Sequence, residues 1–190
     1  KFSNELAEFR KKAYQADNLM PKRYCLVLTN LCNLACDFCY QIRTKQKNSL
    51  NSKDWIKLIK QLPDNSRVTL TGGEPLVFKN FKDVFLETVK RHECNLICNG
   101  LLLTEEIIDL LLSQKNFKIL SISIDNRKNT IRKGANIKEK NWDKKWNHVE
   151  KMMLYFQKRK KELNHPTCIL DSKTVVLDEN AEDLLDIHKY

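Results

Sequence analysis

The sequence is poor in the residues that make turns. Glycine and proline together account for only 8 of its 190 residues, about 4% against roughly 12% in average proteins. So few turn formers predict a chain of helices and regular strands. No apolar run reaches the ~20 residues that a membrane span needs. With 42% hydrophobic and 31% charged residues, the composition also excludes a collagen-like or wholly disordered protein.

The chain also lacks a secretory signal, since no charged, apolar and small-residue segments precede its body. It begins with Lys1 rather than Met, so we expect a piece of a longer protein. We predict that the protein lies in the reducing cytoplasm and does not bind a membrane. In that compartment we expect the seven cysteines to be thiolates, metal ligands or core residues rather than to form disulfides.

The positive charge is concentrated in one segment. Residues 127–161 contain 13 Lys/Arg and 3 Asp/Glu, which accounts for the whole formal net charge of +10. One interpretation is a solvated lysine-rich helix, and the other is a docking surface for an acidic protein, a nucleotide or RNA. Because the sequence has no nucleic-acid-binding motif, nothing favours nucleic acid specifically.

Hydrophobic periodicity predicts alternating strands and helices. The predicted strands span residues 24–29, 67–71, 94–98, 119–124 and 167–177. The predicted helices span residues 2–19, 52–62 (capped by Ser52), 81–91, 104–113 (capped by Thr104), 143–163 and a last segment from about 180. This alternation predicts an α/β fold with right-handed crossovers, either an open doubly wound sheet or a barrel or part-barrel. The apolar strand sequences suggest parallel strands buried on both faces.

Three cysteines follow the first strand within eight residues. Cys32, Cys36 and Cys39 form a C-x3-C-x2-C cluster, and thiolates favour zinc or an iron–sulfur centre. Three ligands leave one coordination position open for water, substrate or cofactor. Two other interpretations stay open: three core cysteines on one helical face, or a zinc site completed by Cys98 or His92.

A second motif, Gly72-Gly73-Glu74-Pro75, ends the second strand. Two adjacent glycines let backbone approach a ligand closely, and their N–H and C=O groups can bind a small zwitterion. A tight loop between strand and helix would need the same residues.

Together the two motifs resemble the radical S-adenosylmethionine (radical SAM) superfamily. The cysteine cluster with Phe38 before its last cysteine is similar to the superfamily signature, and Gly-Gly-Glu-Pro is similar to its second hallmark. The resemblance implies a partial (β/α)6 TIM-like barrel over residues 23–190, which we expect to be truncated after strand five. Residues 1–22 form a predicted helical extension. The peptide-modifying maturases of the SPASM type are the most similar group.

The resemblance also implies cofactors and site residues. Cys32, Cys36 and Cys39 would hold a [4Fe-4S] cluster, whose open iron binds the amino and carboxylate groups of SAM. The remaining implied SAM contacts are Phe38 near the adenine, Gly72, Gly73 and Glu74 at the methionine amine, Ser123 and Asp125 at the ribose, Arg132 at the carboxylate, and Asn99 in the pocket.

Several of these positions have a structural alternative. Asn99-Gly100 could form only a turn, Arg132 could be a surface cation, and Asp125 could cap the following loop. The other cysteines are predicted to fill the core rather than bind metal: Cys25, Cys94, Cys98 and Cys168.

The implied activity is reductive cleavage of SAM to a 5′-deoxyadenosyl radical, which abstracts a hydrogen atom, and peptide modification is the preferred reaction. A flavodoxin-type or ferredoxin-type protein would donate the electron. A nucleotide or cofactor-precursor cyclase of the same superfamily is the alternative enzyme. From another class, we retain a non-catalytic metal-stabilised domain that binds RNA or an acidic partner through residues 127–161.

Overall fold

The computed structural model describes residues 21–41, 50–132 and 139–187, together with the single residue Glu8. The helix predicted for residues 2–19 lies outside the described residues apart from Glu8. Most of the predicted extension over residues 1–22 is therefore not described either.

Five parallel strands form one sheet in the described residues. They are β1 (Arg23–Val27), β2 (Arg67–Thr71), β3 (Glu93–Cys98), β4 (Phe117–Ser123) and β5 (Ile169–Lys173). Their order in the sheet follows their order in the chain, and every neighbouring pair is parallel. Sequential order is that of a (β/α) barrel, whereas a doubly wound sheet reverses its order at a switch point. The prediction of an α/β part-barrel is thus confirmed, and the doubly wound alternative is wrong.

The helices lie between the strands, largely as predicted. They are α1 (Ser52–Gln61), α2 (Phe81–Arg91), α3 (Glu105–Leu112), α4 (Glu139–Glu162) and α5 (Leu184–Ile187), with short 3-10 segments at Pro75–Val77 and Arg127–Arg132. The bounds predicted for β2 and α2 match the structure, and Thr104 caps α3 through the backbone N–H of Ile107.

Several boundary predictions are wrong, such as the start of α4, which lies at Glu139 rather than 143. Three others have a clear structural reason. Asn51 rather than Ser52 caps α1, because the Asn51 side chain accepts from two N–H groups and Asp54 completes a capping box. β5 ends at Lys173 instead of continuing to 177, because Thr174 and Asn180 bind carbonyl oxygens of the loop that follows β4. A turn held by Asn180 occupies the predicted start of the last helix, which begins at Leu184.

The hydrophobic core lies between the sheet and the helices. Leu26, Leu70, Leu96 and Leu120 occupy equivalent register positions on four strands and are buried on the helix-covered face. Residues on the other face of β2 and β3 are only half-buried, so burial alternates along these strands. The expectation of strands buried on both faces is therefore wrong for them, since the concave face borders a cavity.

Three of the four cysteines predicted to fill the core do so. Cys94, Cys98 and Cys168 are buried, and burial raises the pKa of each thiol above its usual value, which disfavours a metal-binding thiolate. Cys25 is the exception, because it is exposed on the concave face of β1. None of the seven cysteines, all within the described residues, forms a disulfide.

No helix among the described residues combines the length and apolar character that membrane crossing requires.

The α1 cap can be tested by two adjacent substitutions. We expect Asn51→Ala to lower the free energy of unfolding by about 1 kcal/mol, the usual cost of losing a side-chain cap. Ser52→Ala is the matched control and should change stability far less. Urea denaturation followed by circular dichroism measures both, and a larger loss in Ser52→Ala would contradict the assignment.

Candidate functional site

A cavity of about 370 Å³ lies where the loops after the strands converge. Its wall includes the clustered cysteines Cys32, Cys36 and Cys39. Six of the eight other predicted site residues also line it: Phe38, Gly72, Gly73, Asn99, Ser123 and Arg132. The volume is within the usual range for small-molecule sites. The structure thus brings nine of the eleven predicted residues together, and the side chains of Glu74 and Asp125 lie behind the cavity wall.

The cysteines lie in an irregular loop after β1. Cys36 is buried and its thiol donates to the carbonyl of Arg132 at 3.7 Å, whereas Cys39 is exposed. The Cys32 sulfur accepts from the backbone N–H of Leu34 at 3.3 Å. Because residues 31–40 form no helix, the interpretation of the three cysteines as one helical face is wrong.

The two glycines bring the loop after β2 against the loop after β1. A Cβ at Gly72 would lie 2.5 Å from the Thr29 carbonyl oxygen, and one at Gly73 would lie 2.4 Å from that of Leu31. The Gly73 N–H donates to the Thr29 carbonyl at 2.7 Å. These glycines are therefore needed for backbone-to-backbone packing, and the expectation that their N–H groups are open to a ligand is wrong for Gly73.

Glu74 is a buried brace between two loops. Its Oε1 accepts from the N–H of Leu76 at 3.1 Å, and its Oε2 accepts from the N–H of Asn99 at 2.7 Å. Burial raises its pKa to about 7, although these two backbone hydrogen bonds act in the opposite direction. The carboxyl group thus ties the loop after β2 to the end of β3.

Asn99 connects the end of β3 to the cysteine loop. Its Oδ1 accepts from the N–H of Leu101, which forms the turn that the sequence suggested. Its Nδ2 donates to Asn33 Oδ1 at 2.7 Å and approaches the Cys32 sulfur at 3.9 Å. The Asn99 side chain therefore stabilises the turn and also holds the cysteine loop at the cavity wall.

Arg132 is an inward-facing cation. Its side chain is 14% exposed and pairs with fully buried Asp125, and its guanidinium lies 5.2 Å from the centre of the Phe38 ring. Asp125 Oδ1 also accepts from the N–H of Val175 at 2.7 Å. The interpretation of Arg132 as a surface cation is wrong, and the hydrogen bond from Val175 joins Asp125 to the loop after β5, 50 residues away.

The sequence reasoning missed several residues at this site, of which four bear on its structure or chemistry. Asn180 is fully buried and donates to the carbonyl oxygens of Asp125 and Val175. Trp142 of α4 is buried against Leu34 and Cys36. Gln41 and Lys173 line the cavity. Only Trp142 carried a sequence signal, because its spacing to Trp146 marks an inward helix face.

The donor set fits an iron–sulfur cluster better than a single metal ion. In the described ranges, no three His, Cys, Asp or Glu side chains are grouped so that they could hold one ion. His92 lies under the sheet, with its Nε2 3.2 Å from the Ile59 carbonyl oxygen, so it does not complete a zinc site. The three thiols line one cavity but do not converge on one point. This arrangement suits a cluster, because each of its iron atoms binds one thiolate.

Comparison with known proteins gives a family match over most of the chain. The Radical SAM superfamily matches residues 26–190. The chain is 36% identical over 118 residues to the sporulation killing factor maturation protein SkfB of Bacillus subtilis, covering 60% of this chain and 28% of SkfB. It is 32% identical over 105 residues to a probable GTP 3′,8-cyclase of Sulfolobus acidocaldarius, covering 51% of this chain and 34% of that protein.

The fold also matches solved structures. The crystal structure of Streptococcus suis SuiB bound to S-adenosylmethionine has a TM-score of 0.69 and 17% sequence identity, covering 98% of this chain and 42% of SuiB. SuiB bound to its precursor peptide SuiA has a TM-score of 0.63, covering 96% of this chain and 40% of that one. This chain therefore spans about a third or less of the two curated relatives and about two fifths of SuiB.

Gly73→Ala tests the packing of the cysteine loop. The added methyl group would collide with the Leu31 carbonyl, one residue before Cys32, so we expect a displaced loop and a large loss of iron after anaerobic reconstitution. Destabilisation of about 1–3 kcal/mol is the usual cost of such overpacking. Iron content per chain and urea denaturation are the measurements.

Ile108→Val provides the control for this test. It removes one methyl group from the buried face of α3 at a cost of about 0.5–1.5 kcal/mol, away from the cysteines. It should bind iron normally. Normal iron content in Gly73→Ala would contradict the proposed dependence.

Proposed function

The chain belongs to the radical SAM superfamily, as its two motifs predicted, and on this premise we propose that it modifies a peptide by abstracting a hydrogen atom from it. One observation carries the proposal: a single cavity is lined by the three clustered thiols, the Gly72-Gly73 backbone, Asn99, Ser123 and Arg132. These groups supply thiolate ligands, carbonyl acceptors, a hydroxyl and a cation, which together match a cluster and an amino-acid-bearing nucleoside.

Enzymes of this superfamily use a [4Fe-4S] cluster and S-adenosylmethionine, so the cofactors and the enzyme class predicted from the sequence are confirmed. When bound, they supply one-electron cleavage of the C5′–S bond of SAM, which yields a 5′-deoxyadenosyl radical that takes a hydrogen atom from the substrate. The protein supplies binding, orientation and shielding from water.

Cys32, Cys36 and Cys39 are the proposed cluster ligands. N–H groups of Leu34 and Asn99 lie next to the Cys32 sulfur and would stabilise its thiolate charge. Leu34 and Trp142 pack against Cys36, and this apolar contact would help to exclude water from its sulfur.

The remaining cavity residues would hold SAM. We assign the amine to the Gly72 carbonyl and the carboxylate to Arg132, whose guanidinium has donors beyond the one directed at Asp125. Ser123 lines the cavity and is assigned to the ribose, and Phe38 to the adenine side. Asp125 and Glu74 would act by positioning Arg132 and the glycine loop, since both side chains are fully buried.

A peptide substrate is supported by two of the similar proteins. SkfB is named for the maturation of the sporulation killing factor, and SuiB has been crystallised with a precursor peptide. The electron donor in this proposal is a flavodoxin-type or ferredoxin-type protein.

A nucleotide cyclase is the second candidate, because the chain is 32% identical to a probable GTP 3′,8-cyclase. A nucleoside triphosphate substrate requires several cations in the cavity. Among the described residues, Arg132 and Lys173 are the only cations that line it, and Arg132 is paired with Asp125. The described part of the cavity therefore offers few cations for a triphosphate.

The cleavage reaction tests the reaction class. We expect the reconstituted, dithionite-reduced protein to form 5′-deoxyadenosine from SAM, and Cys36→Ala to fall to background because a cluster ligand is lost. Cys168→Ala, a buried cysteine outside the cavity, and Cys98→Ala should retain iron and product formation. Liquid chromatography quantifies the nucleoside. Loss of the cluster in Cys98→Ala would overturn the ligand assignment.

The substrate class has its own test. We expect a mixed-sequence synthetic peptide library to accelerate 5′-deoxyadenosine formation above the rate with SAM alone. GTP at the same concentration should leave that rate unchanged. The same chromatographic assay measures both, with Cys36→Ala as the blank. Acceleration by GTP together with a cyclised GTP product would establish the cyclase instead.

A further inference from the structure

Gln41 lies two residues after the last clustered cysteine, and its side chain donates a hydrogen bond to a backbone carbonyl in the cavity wall. Its Nε2 donates to the Gly72 carbonyl oxygen at 2.8 Å. The residue is half-buried and lines the cavity. This hydrogen bond shows that the Gly72 carbonyl is accessible to an N–H donor from the cavity side.

The oxygen end of the Gln41 amide differs from the nitrogen end. Its Oε1 is buried and has no hydrogen-bond partner among the described residues. Leaving a buried acceptor unsatisfied costs about 1–3 kcal/mol. The amide orientation follows from chemistry, because the reverse orientation would place Oε1 against the Gly72 oxygen, two acceptors facing each other.

Two acceptors therefore meet at the Gln41 amide group. One is the Gly72 carbonyl, filled by the Gln41 N–H, and the other is Gln41 Oε1, which needs a donor. A ligand that satisfies both must bring two donors to this amide group, and two N–H groups on one small centre can do so. A primary amine meets this requirement, and an amine that gives its lone pair to a metal still keeps two N–H groups.

We propose that Gln41 is a positioning and specificity-determining residue for the α-amine of S-adenosylmethionine, an inference that rests on the function proposed above. In the ligand-free protein its amide N–H occupies the Gly72 carbonyl. On binding, the amine replaces that N–H at Gly72, and Gln41 Oε1 accepts the second N–H. Gln41 thereby selects nucleosides that carry an amino-acid group over those that lack it.

The test compares two ligands that differ in the amino-acid group. S-adenosylhomocysteine carries the amine and carboxylate, whereas 5′-methylthioadenosine keeps the nucleoside thioether and lacks both. Equilibrium dialysis of each against the anaerobically reconstituted protein gives dissociation constants without any turnover. The ratio of the two constants reports recognition of the amino-acid group.

Gln41→Met retains the length of the side chain and removes the amide oxygen. We expect it to weaken S-adenosylhomocysteine about 10-fold, the loss of one hydrogen bond to a charged or metal-held donor, and to leave 5′-methylthioadenosine unchanged. Gln41→Glu keeps an acceptor at the same distance and should bind S-adenosylhomocysteine within about 3-fold of the unsubstituted protein. Gln157→Met, on the exposed face of α4, is the matched control and should change neither constant.

Two results would overturn the role of Gln41 alone. One is an unchanged ratio of constants in Gln41→Met, and the other is an equal loss of both ligands, which would indicate general damage to the cavity. If Gln41→Met does not fold, Gln41→Ala provides the same comparison. Failure of the unsubstituted protein to bind either nucleoside would instead overturn the proposed function, and the Gln41 proposal with it.

Discussion

The close contact between two backbone segments, residues 29–31 after β1 and Gly72-Gly73 after β2, is the constraint on which the cavity depends. Hydrogen bonds from Gly73 to Thr29 and from Glu74 to Leu31 continue the β1–β2 pairing beyond the strands. The segments approach so closely that no Cβ fits at either glycine. Because Cys32 follows Leu31 directly, this contact also sets where the cysteine loop begins. The Gly-Gly motif thus positions the cysteine loop through backbone packing alone.

Buried polar contacts extend this arrangement to the other strands. Glu74 binds the backbone at the end of β3, and Asn99 returns from there to Asn33 and Cys32, so three loops form a closed circuit. Asp125 joins the loop after β4 to the loop after β5 and pairs with Arg132. A carboxylate buried in this way must be compensated by hydrogen bonds or an opposite charge, and each of these two has such partners. The cavity wall is therefore held mainly by directional contacts, whereas the apolar core lies on the other face of the sheet.

How far the sequence predicts this site depends on the range of the contacts involved. Strand and helix positions, and the cysteine and glycine motifs, follow from local periodicity and spacing, and the bounds of β2 and α2 were correct. The predicted capping residue of α1, Ser52, is wrong, although Asn51 and Asp54 have the sequence spacing of a capping box. Roles that depend on distant partners were not predictable: Asn180 binds Asp125, 55 residues away, and Gln41 binds Gly72, 31 residues away. Cys25 has apolar neighbours in sequence, as a core cysteine does, but side chains alternate along a strand, and next to buried Leu26 it lies on the concave face.

The positive segment shows why net charge is a poor guide to the site. Among its described residues, Arg132 turns inward and lines the cavity, whereas α4 buries a stripe of Trp142, Trp146, Val149, Met152 and Phe156 and leaves most of its described lysines exposed. Lys151 and Arg159 pair with Glu105 and Asp109 of α3, so part of this charge fastens one helix to the next. The concave face of the sheet is more polar than the helix-covered face, because Ser121 and Lys173 on it both donate hydrogen bonds to Asp171. Stability thus comes from the helix-covered face, and the polar concave face is left available for binding because the core does not need it.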